Sequence, residues 1–267
     1  MRAEARWPRL VVAGYLTAAL VGPALAPHDP HAIDLARQYE GPSLRHPLGT
    51  ADNGVDVLSV LLHGARFGGT IAASTVVISL VLGAMLGTLA AMRGGLVEHA
   101  VMALADLVSA FPSLVLHVAL LALVERPGPE HLVVALSASG WVVFARLARS
   151  RALELRNRDF VLASRALGAS EARVLLRHVL PHLGGPLLVQ ASAAMGGAIV
   201  AEATLGFLGM GPATETSWGA LLDQGTSVLL RFPHVALEVA AVLAVVVLAM
   251  HRTGDWLRDR LDPRTGR

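Results

Sequence analysis

Long apolar stretches alternate with short polar ones along this chain, and the pattern predicts an all-α polytopic membrane protein. A membrane-crossing helix needs about 20 mostly apolar residues. Runs of about this length occupy 10–26, 69–92, 97–124, 131–146, 186–210 and 234–251, the first and fourth being short. We therefore expect about six transmembrane helices. They divide the chain into a first span with an outer polar segment (1–68), a core of five spans (69–251) and a tail (252–267).

The first apolar run allows two interpretations. Arginines at positions 2, 6 and 9 precede the run Leu10–Leu25, as in a secretory signal peptide, and Ala24-Leu25-Ala26 resembles a cleavage site. The run is also the first in a series of apolar runs, as in a polytopic protein. We favour a retained first span, because five further candidate spans follow it.

Composition narrows the function classes. With 54% hydrophobic and 16% charged residues, the chain lies outside the range of soluble domains. The sequence has no cysteine, which excludes disulfides and thiolate metal sites. All 22 basic residues are arginines, so the chain lacks the lysine of a Walker A nucleotide-binding loop. We expect that the chain is not an enzyme, binds no cofactor itself, and depends on partner subunits for any use of ATP and Mg.

The arginines also predict the orientation. Cytoplasmic loops of membrane proteins carry an excess of Lys and Arg. If the N-terminus is cytoplasmic, seventeen of the 22 arginines fall in cytoplasmic segments. Both termini and the arginine-rich segment 146–183 are then cytoplasmic. Basic residues beside apolar spans fit this orientation better than a nucleic-acid-binding surface.

The segment 146–183 has the sequence pattern of two helices joined by a sharp turn. Ala, Leu, Arg and Glu favour a helix that runs from the start of the segment to Ala166. Gly168 can end it in a left-handed conformation. Ser170 is a plausible N-cap for a second helix, Glu171–Val179. Such a helix–break–helix on one side of a membrane is suited to docking on a partner.

This segment resembles the EAA loop of ABC-type import permeases, in which EAA is followed by a glycine and then by Leu-Pro. Leu162-Ala163-Ser164 stand at EAA, Gly168 at the glycine and Leu180-Pro181 at the final pair. Pro181 should end the second helix. This chain departs from the pattern at Leu162, where glutamate is usual, and at His178, where isoleucine is usual.

Further motifs narrow the resemblance to the second permease subunit of the dipeptide, oligopeptide and nickel ABC importers. They occur in the family's order: HPLGT at 46–50 followed by Asp52, Gly54 and Asp56; Asp106 with Phe111-Pro112; NRDFV at 157–161; EATLGFLGMG at 202–211 followed by Ser217-Trp218-Gly219; and GDWLRD at 254–259 with Leu261-Asp262-Pro263. Val55 replaces a usual arginine in the first motif.

The resemblance implies a type I ABC importer permease in the inner membrane of a prokaryote. Such a subunit pairs with a second, homologous permease in the lipid bilayer. Two cytoplasmic ATPases dock on the loops, and an extracytoplasmic binding protein delivers substrate. The docking residues implied are Asp159, Ala163, Ser164, Arg165, Ala166, Leu167, Gly168, Ala169 and Ser170. We favour di- or oligopeptides as substrate over nickel, which stays open, and over an ion-coupled secondary transporter, for which no inverted repeat is evident.

Polar residues inside the predicted spans are further candidates. Asp106, Gln190 and Glu202 either line a translocation path or make polar contacts between helices, and we favour the contacts for the two carboxylates. His28-Asp29-Pro30-His31 is the only local histidine cluster. A proline within it and the lack of further nearby ligands favour a solvated loop, so we expect no metal site there.

Overall fold

The computed structural model describes residues 6–212 and 215–261. Arg2, Asp262 and Pro263, which entered the sequence analysis, lie outside these residues. The described chain is helical, which confirms the all-α prediction. Its helices are α1 (Arg6–Leu25), α2 (Val57–Arg93), α3 (Gly95–Ser109), α4 (Ser113–Leu121), α5 (Pro129–Leu155), α6 (Asp159–Ala166), α7 (Glu171–Val174), α8 (Leu180–Phe207), α9 (Trp218–Ser227) and α10 (Pro233–Leu261), with a π-helical turn, Leu175–Val179, joining α7 to α8.

Five helical segments in the described residues are long and apolar enough to cross a membrane: α1, α2, α5, α8 with its π turn, and α10. The predicted third span, 97–124, is not one helix. It consists of α3 and α4, which meet at 86°. Pro112 explains the break, because proline lacks a backbone N–H and disfavours helical geometry at Phe111 before it. The number of spans is thus five, or six if the bent pair counts as one.

Helix α2 begins at Val57, well before the predicted start at 69, and takes its first turns from the predicted outer segment. The Asp56 carboxylate caps it by accepting a hydrogen bond from the backbone N–H of Ser59 at 2.8 Å. Gly94, with φ of +63°, ends it. At 1.5 Å per residue its 37 residues measure about 55 Å, against a hydrocarbon core of about 30 Å. Helix α2 therefore extends beyond the bilayer core or crosses it at a tilt.

Helix α5 also exceeds its predicted span, 131–146, and its last turns form the first part of the helix predicted from 146 to Ala166. That predicted helix is interrupted at residues 156–158, before α6 begins. Two arginines near the end of α5 anchor it to its neighbours. Arg149 Nε donates to Glu98 of α3 at 2.7 Å, and the guanidinium group of Arg156, the C-cap of α5, donates to the carbonyl of Ala91 in α2 at 2.9 Å. Apolar length underestimates these helices because arginine is a good helix former, so the helix continues beyond the membrane-embedded part.

The centre of the bundle is the contact between α2 and α5. A side chain at Gly83 would overlap the carbonyl oxygen of Trp141, and one at Gly87 would overlap the backbone of Ala145. Small residues let helix backbones approach closely in lipid, where burial of apolar surface gives no extra drive for association. The GxxxG pair therefore serves to pack α2 on α5 within this subunit.

The two ends of the bundle are closed by different contacts. At one end Arg9 of α1 lies over the ring of Trp256 in α10, 4.6 Å from its centroid, and Gly185 of α8 lies beside Leu261. At the other end the Tyr39 ring stacks on Phe232 with 4.7 Å between centroids. The first end also carries the turn between α6 and α7, so the predicted docking turn and the start of α1 share one end of the molecule.

We expect Gly87→Ala to destabilise the subunit by about 1–3 kcal/mol, because the added methyl group overpacks the α2–α5 contact. The measurement is the thermal unfolding midpoint of the purified complex in detergent. Gly14→Ala in α1 is the matched control, since a side chain there meets no atom within 4 Å. Equal midpoints for the two variants would contradict the close contact.

Candidate functional site: the α6–α7 elbow

The turn between α6 and α7, residues 163–170, is called the elbow below. Helix α6 ends there in a Schellman motif. The backbone N–H of Ala169 donates to the carbonyl of Ser164 at 3.1 Å, and that of Gly168 donates to the carbonyl of Arg165 at 2.9 Å. Gly168 has φ of +83°, and a side chain there would meet nothing within 4 Å. Glycine is needed for its backbone conformation, not for space, which confirms the predicted left-handed turn.

The second side of the elbow also follows the sequence prediction. The Ser170 hydroxyl accepts a hydrogen bond from the backbone N–H of Arg173 at 3.4 Å, as an N-cap does. One contact is not evident from the sequence: the Arg165 guanidinium donates to both carboxylate oxygens of Glu171, at 2.8 and 2.9 Å. Exposed ion pairs contribute about 1 kcal/mol or less. The pair therefore orients the two helices more than it stabilises them.

The outer surface of the elbow is small and apolar. Leu167 at its tip is 89% exposed. Leu162, just before the elbow, is 49% exposed and stands where the EAA pattern has glutamate. Ala163, Ala166 and Ser170 are exposed beside them. Exposed apolar side chains grouped with small residues are typical of a contact surface for another protein.

The base of the elbow, in contrast, is fixed to the bundle. Val161, Val174 and Val179 are fully buried. The ring of Phe160 in α6 stacks on His182 at the start of α8, with 5.1 Å between centroids. The elbow therefore presents a free tip on a packed base.

The predicted end of the second helix before Pro181 is wrong. Helix α7 continues through the π turn into α8, and the backbone N–H of Leu180 donates to the carbonyl of Leu175, five residues back. Pro181 has no backbone N–H to donate, and the chain changes to the i to i+5 hydrogen bonds of a π-helix just before it. Pro181 then lies in the first turn of α8, where proline is tolerated. As a result, one unbroken helical path connects the elbow to Phe207.

Of the polar residues predicted within the spans, Asp106 lies on the surface of the bundle. Its carboxylate accepts a hydrogen bond from Arg146 of α5 at 2.8 Å, and the same guanidinium group donates to the Ser109 hydroxyl at 3.2 Å. The side chain of Asp106 is 73% exposed and that of Arg146 is 49% exposed. Asp106 thus makes an interhelical contact that is open on one side.

Glu202, on α8, has a different environment. It is 3% exposed, and its carboxylate accepts a hydrogen bond from the Ser217 hydroxyl at 2.8 Å. Ser217 in turn caps α9 by accepting from the backbone N–H of Gly219 at 3.1 Å. Next to this cap, Trp218 Nε1 donates to the carbonyl of Leu61 in α2 at 2.9 Å. Glu202 is therefore tied to a packed interior contact. Gln190, the third candidate, is partly buried on α8.

A cavity of about 240 Å³ between α2, α4, α5 and α8 has a mainly apolar wall that includes several polar side chains. His117 Nε2 lies 2.8 Å from the Ser139 hydroxyl, and the buried hydroxyls of Thr75 and Ser79 have no hydrogen-bond partner. Polar groups at membrane depth are candidates for contact with a passing solute. Sequence reasoning missed this wall, because single Ser and Thr residues in apolar runs give no periodic signal.

Residues 79–267 match the family described as the binding-protein-dependent transport system inner membrane component. The chain belongs to this permease family. It is 38% identical over 253 residues to the di/tripeptide transport system permease protein DppC of Pseudomonas aeruginosa, covering 92% of this chain and 83% of that protein. It is 32% identical over 256 residues to the oligopeptide transport system permease protein OppC of Bacillus subtilis, covering 96% and 84%.

Solved structures show the same permease fold. The inward-facing MetNI methionine ABC transporter aligns with a TM-score of 0.64 at 18% identity, covering 76% of this chain and 96% of that one. A crystal structure of an amino acid ABC transporter with histidines aligns with a TM-score of 0.59 at 16% identity, covering 76% and 94%. These likenesses establish the type I ABC importer permease architecture.

The histidines of this permease are arranged differently from the sequence expectation. In the sequence His28 and His31 form a local cluster, whereas the structure places His28 beside His46 and Asp56. Their separation along the chain hid this grouping. The motif containing His46 and Asp56 was visible in the sequence, whereas the approach of His28 depends on the path of the segment between α1 and α2.

Proposed function

We propose that this permease carries dipeptides or short oligopeptides across the cytoplasmic membrane as one subunit of an ATP-driven importer. The observation that carries the proposal is its relationship, over more than nine-tenths of the chain, to proteins named as oligopeptide and di/tripeptide permeases. An extracytoplasmic binding protein would deliver the peptide. ATP and Mg would bind to two separate cytoplasmic ATPase subunits, in keeping with a chain that has no lysine for a Walker A loop.

The elbow is the surface on which one ATPase would dock. Its exposed tip combines Leu162, Leu167 and small residues, and the Schellman turn gives the tip a fixed shape. An apolar knob of this kind fits a hydrophobic cleft. Movement of the ATPase would displace the elbow and, through α7 and α8, change the opening of the pore by a rigid-body motion.

A second, homologous permease would complete the pore. The Asp106–Arg146 pair supports this arrangement, since it lies on α3 and α5 with both side chains substantially exposed. Charged side chains at membrane depth almost always face a protein interior or a water-filled path and not lipid. We therefore place the partner permease or the aqueous path against this face of α3 and α5.

Both termini and the elbow would lie in the cytoplasm. The arginine distribution supports this orientation. The contact of Arg9 with Trp256 brings the start of α1 to the end of α10, and Gly185 of α8 lies beside Leu261 at the same end, so one end of the bundle holds both termini and the elbow. The segment between α1 and α2 would then face the binding protein.

The orientation can be tested with single cysteines, because the natural chain contains none. Cysteines replacing Ser43 and Ser170, both exposed, should react with a membrane-impermeant thiol reagent from opposite sides of the membrane. The measurement is labelling of intact cells against inverted membrane vesicles. Reaction of both positions from one side would refute the orientation.

The substrate class can be tested in proteoliposomes that contain the complete importer, with its binding protein outside and ATP inside. Uptake of a labelled dipeptide should depend on ATP, and unlabelled di- and tripeptides should compete for it while Ni²⁺ does not. Uptake of radioactive nickel with no response to peptides would instead support the nickel alternative. Uptake without ATP would contradict the proposal that this permease belongs to an ATP-driven importer.

The elbow can be tested by Gly168→Val. Valine disfavours the left-handed conformation by about 1–2 kcal/mol and should deform the turn, so we expect ATP hydrolysis that no longer drives uptake. The matched control is Gly184→Val, because neither glycine has an atom within 4 Å of the added Cβ position, and only Gly168 has a positive φ. Uptake per ATP should be unchanged in the control. If ATP hydrolysis drives uptake normally in Gly168→Val, the proposed role of the elbow is wrong.

A further inference from the structure

Three potential metal-binding side chains meet at the start of α2, at the end of the bundle opposite the elbow. His28 follows α1, His46 lies in the connecting segment, and Asp56 is the N-cap of α2. Their ligand atoms all lie within 4.8 Å of one another. His46 Nδ1 is 2.9 Å from Asp56 Oδ1, and His28 Nδ1 is 3.8 Å from the same oxygen. Tetrahedral ligands at about 2.1 Å from zinc are about 3.4 Å apart, so the two distances bracket the required value.

One of these atoms lacks a partner. His28 Nδ1 is buried and makes no hydrogen bond. Its ring is held in place by stacking on His46, with 4.5 Å between centroids. A buried polar atom without a partner is unfavourable unless a ligand, ion or water satisfies it. The free nitrogen faces the Asp56 carboxylate, where a bound cation would satisfy it.

The remaining oxygen of Asp56 is already occupied. Oδ2 accepts hydrogen bonds from the backbone N–H and the hydroxyl of Ser59, at 2.8 and 2.7 Å. The same Ser59 hydroxyl accepts from the backbone N–H of His28 at 3.0 Å. One serine thus positions two of the three candidate ligands. Outer contacts of this kind orient the ligands in metal sites.

The surroundings are open and slightly acidic. A cavity of about 230 Å³ adjoins the cluster. Besides Asp56, its charged walls are Asp29, Asp34, Arg37 and Arg45, so three carboxylates face two guanidinium groups. Arg37 Nε lies 3.4 Å from Asp34 Oδ2, which offsets its charge locally. The cavity has room for water as a fourth ligand.

We propose that His28 Nδ1, His46 Nδ1 and Asp56 Oδ1 bind one divalent transition-metal ion of the zinc class. Two imidazoles and a carboxylate are a ligand set that zinc accepts. Without the ion, the His46 Nδ1–H donates to Asp56. With the ion, His46 keeps its single proton on Nε2, so that Nδ1 presents its lone pair. The ion fastens the segment between α1 and α2 to the start of α2. This proposal does not depend on the identity of the transported solute.

The test uses the whole importer complex, purified without a polyhistidine tag and treated with a chelator. Titration with ZnCl₂ by calorimetry should show one more site in the natural complex than in the complex carrying His28→Phe. Phenylalanine keeps the ring stacked on His46 and introduces no new polar atom, so the fold without metal should be retained. Affinity at this site should fall by about 100-fold or more, since even loss of an outer contact costs 10–100-fold.

His31→Phe is the matched control, because His31 is an exposed histidine three residues away whose side chain is outside the cluster. It should leave zinc binding unchanged. Zinc should also raise the thermal unfolding midpoint of the natural complex and of the His31 variant, but not of the His28 variant. Equal zinc binding in the natural and His28 complexes would overturn the proposal. So would an equal loss in both variants, or no effect of zinc on the unfolding midpoint.

Discussion

Close contact between α2 and α5 is the constraint on which the other positions in the bundle depend. In lipid, helices gain little from hiding apolar surface, so they associate through close packing. Glycines at 83 and 87 remove the side chains that would hold the two backbones apart. With α5 fixed in this way, its arginines reach α3 and α2, and α8 packs across both helices. The position of the elbow relative to the membrane follows from this framework, because both α5 and α8 lead into it.

The contrast between base and tip makes the elbow suitable for transmitting force. Its valines are fully buried, whereas Leu167 is almost completely exposed. A contact surface that moved independently of the bundle would absorb the motion of a partner. A surface whose base is packed passes that motion on. The bidentate Arg165–Glu171 pair holds α6 and α7 in a fixed relative orientation. As an exposed ion pair it contributes little to the free energy of folding, so its main effect is on the shape of the elbow.

The sequence predicted the elements whose cause is local. Gly168 and Ser170 each specify a conformation that depends on a few neighbouring residues, and both predictions are confirmed. The span limits were less accurate, because hydropathy measures the membrane-embedded length, whereas helix length also depends on propensity and caps. Pro112 breaks a predicted span and Pro181 does not break a helix, since the outcome depends on whether the backbone around the proline can rearrange its hydrogen bonds. The polar part of the cavity wall and the histidine cluster arise from contacts between distant segments, and no local pattern encodes them.

The π turn joins α7 to α8 without a break in the helical path, so movement at one end can reach the other. From Leu175 to Phe207 the chain is one continuous helical segment of 33 residues, roughly 50 Å long, with Pro186 inside it. Helix α7 joins its first turn to the elbow, and near its far end the Glu202 carboxylate accepts a hydrogen bond from Ser217, the cap of α9. If this segment pivots near its middle, a shift of a few ångströms at the end near the elbow is matched by an opposite shift of similar size at the far end. In the proposed importer, this coupled movement would make the two mouths of the pore move in opposite senses, so that one would narrow as the other widened.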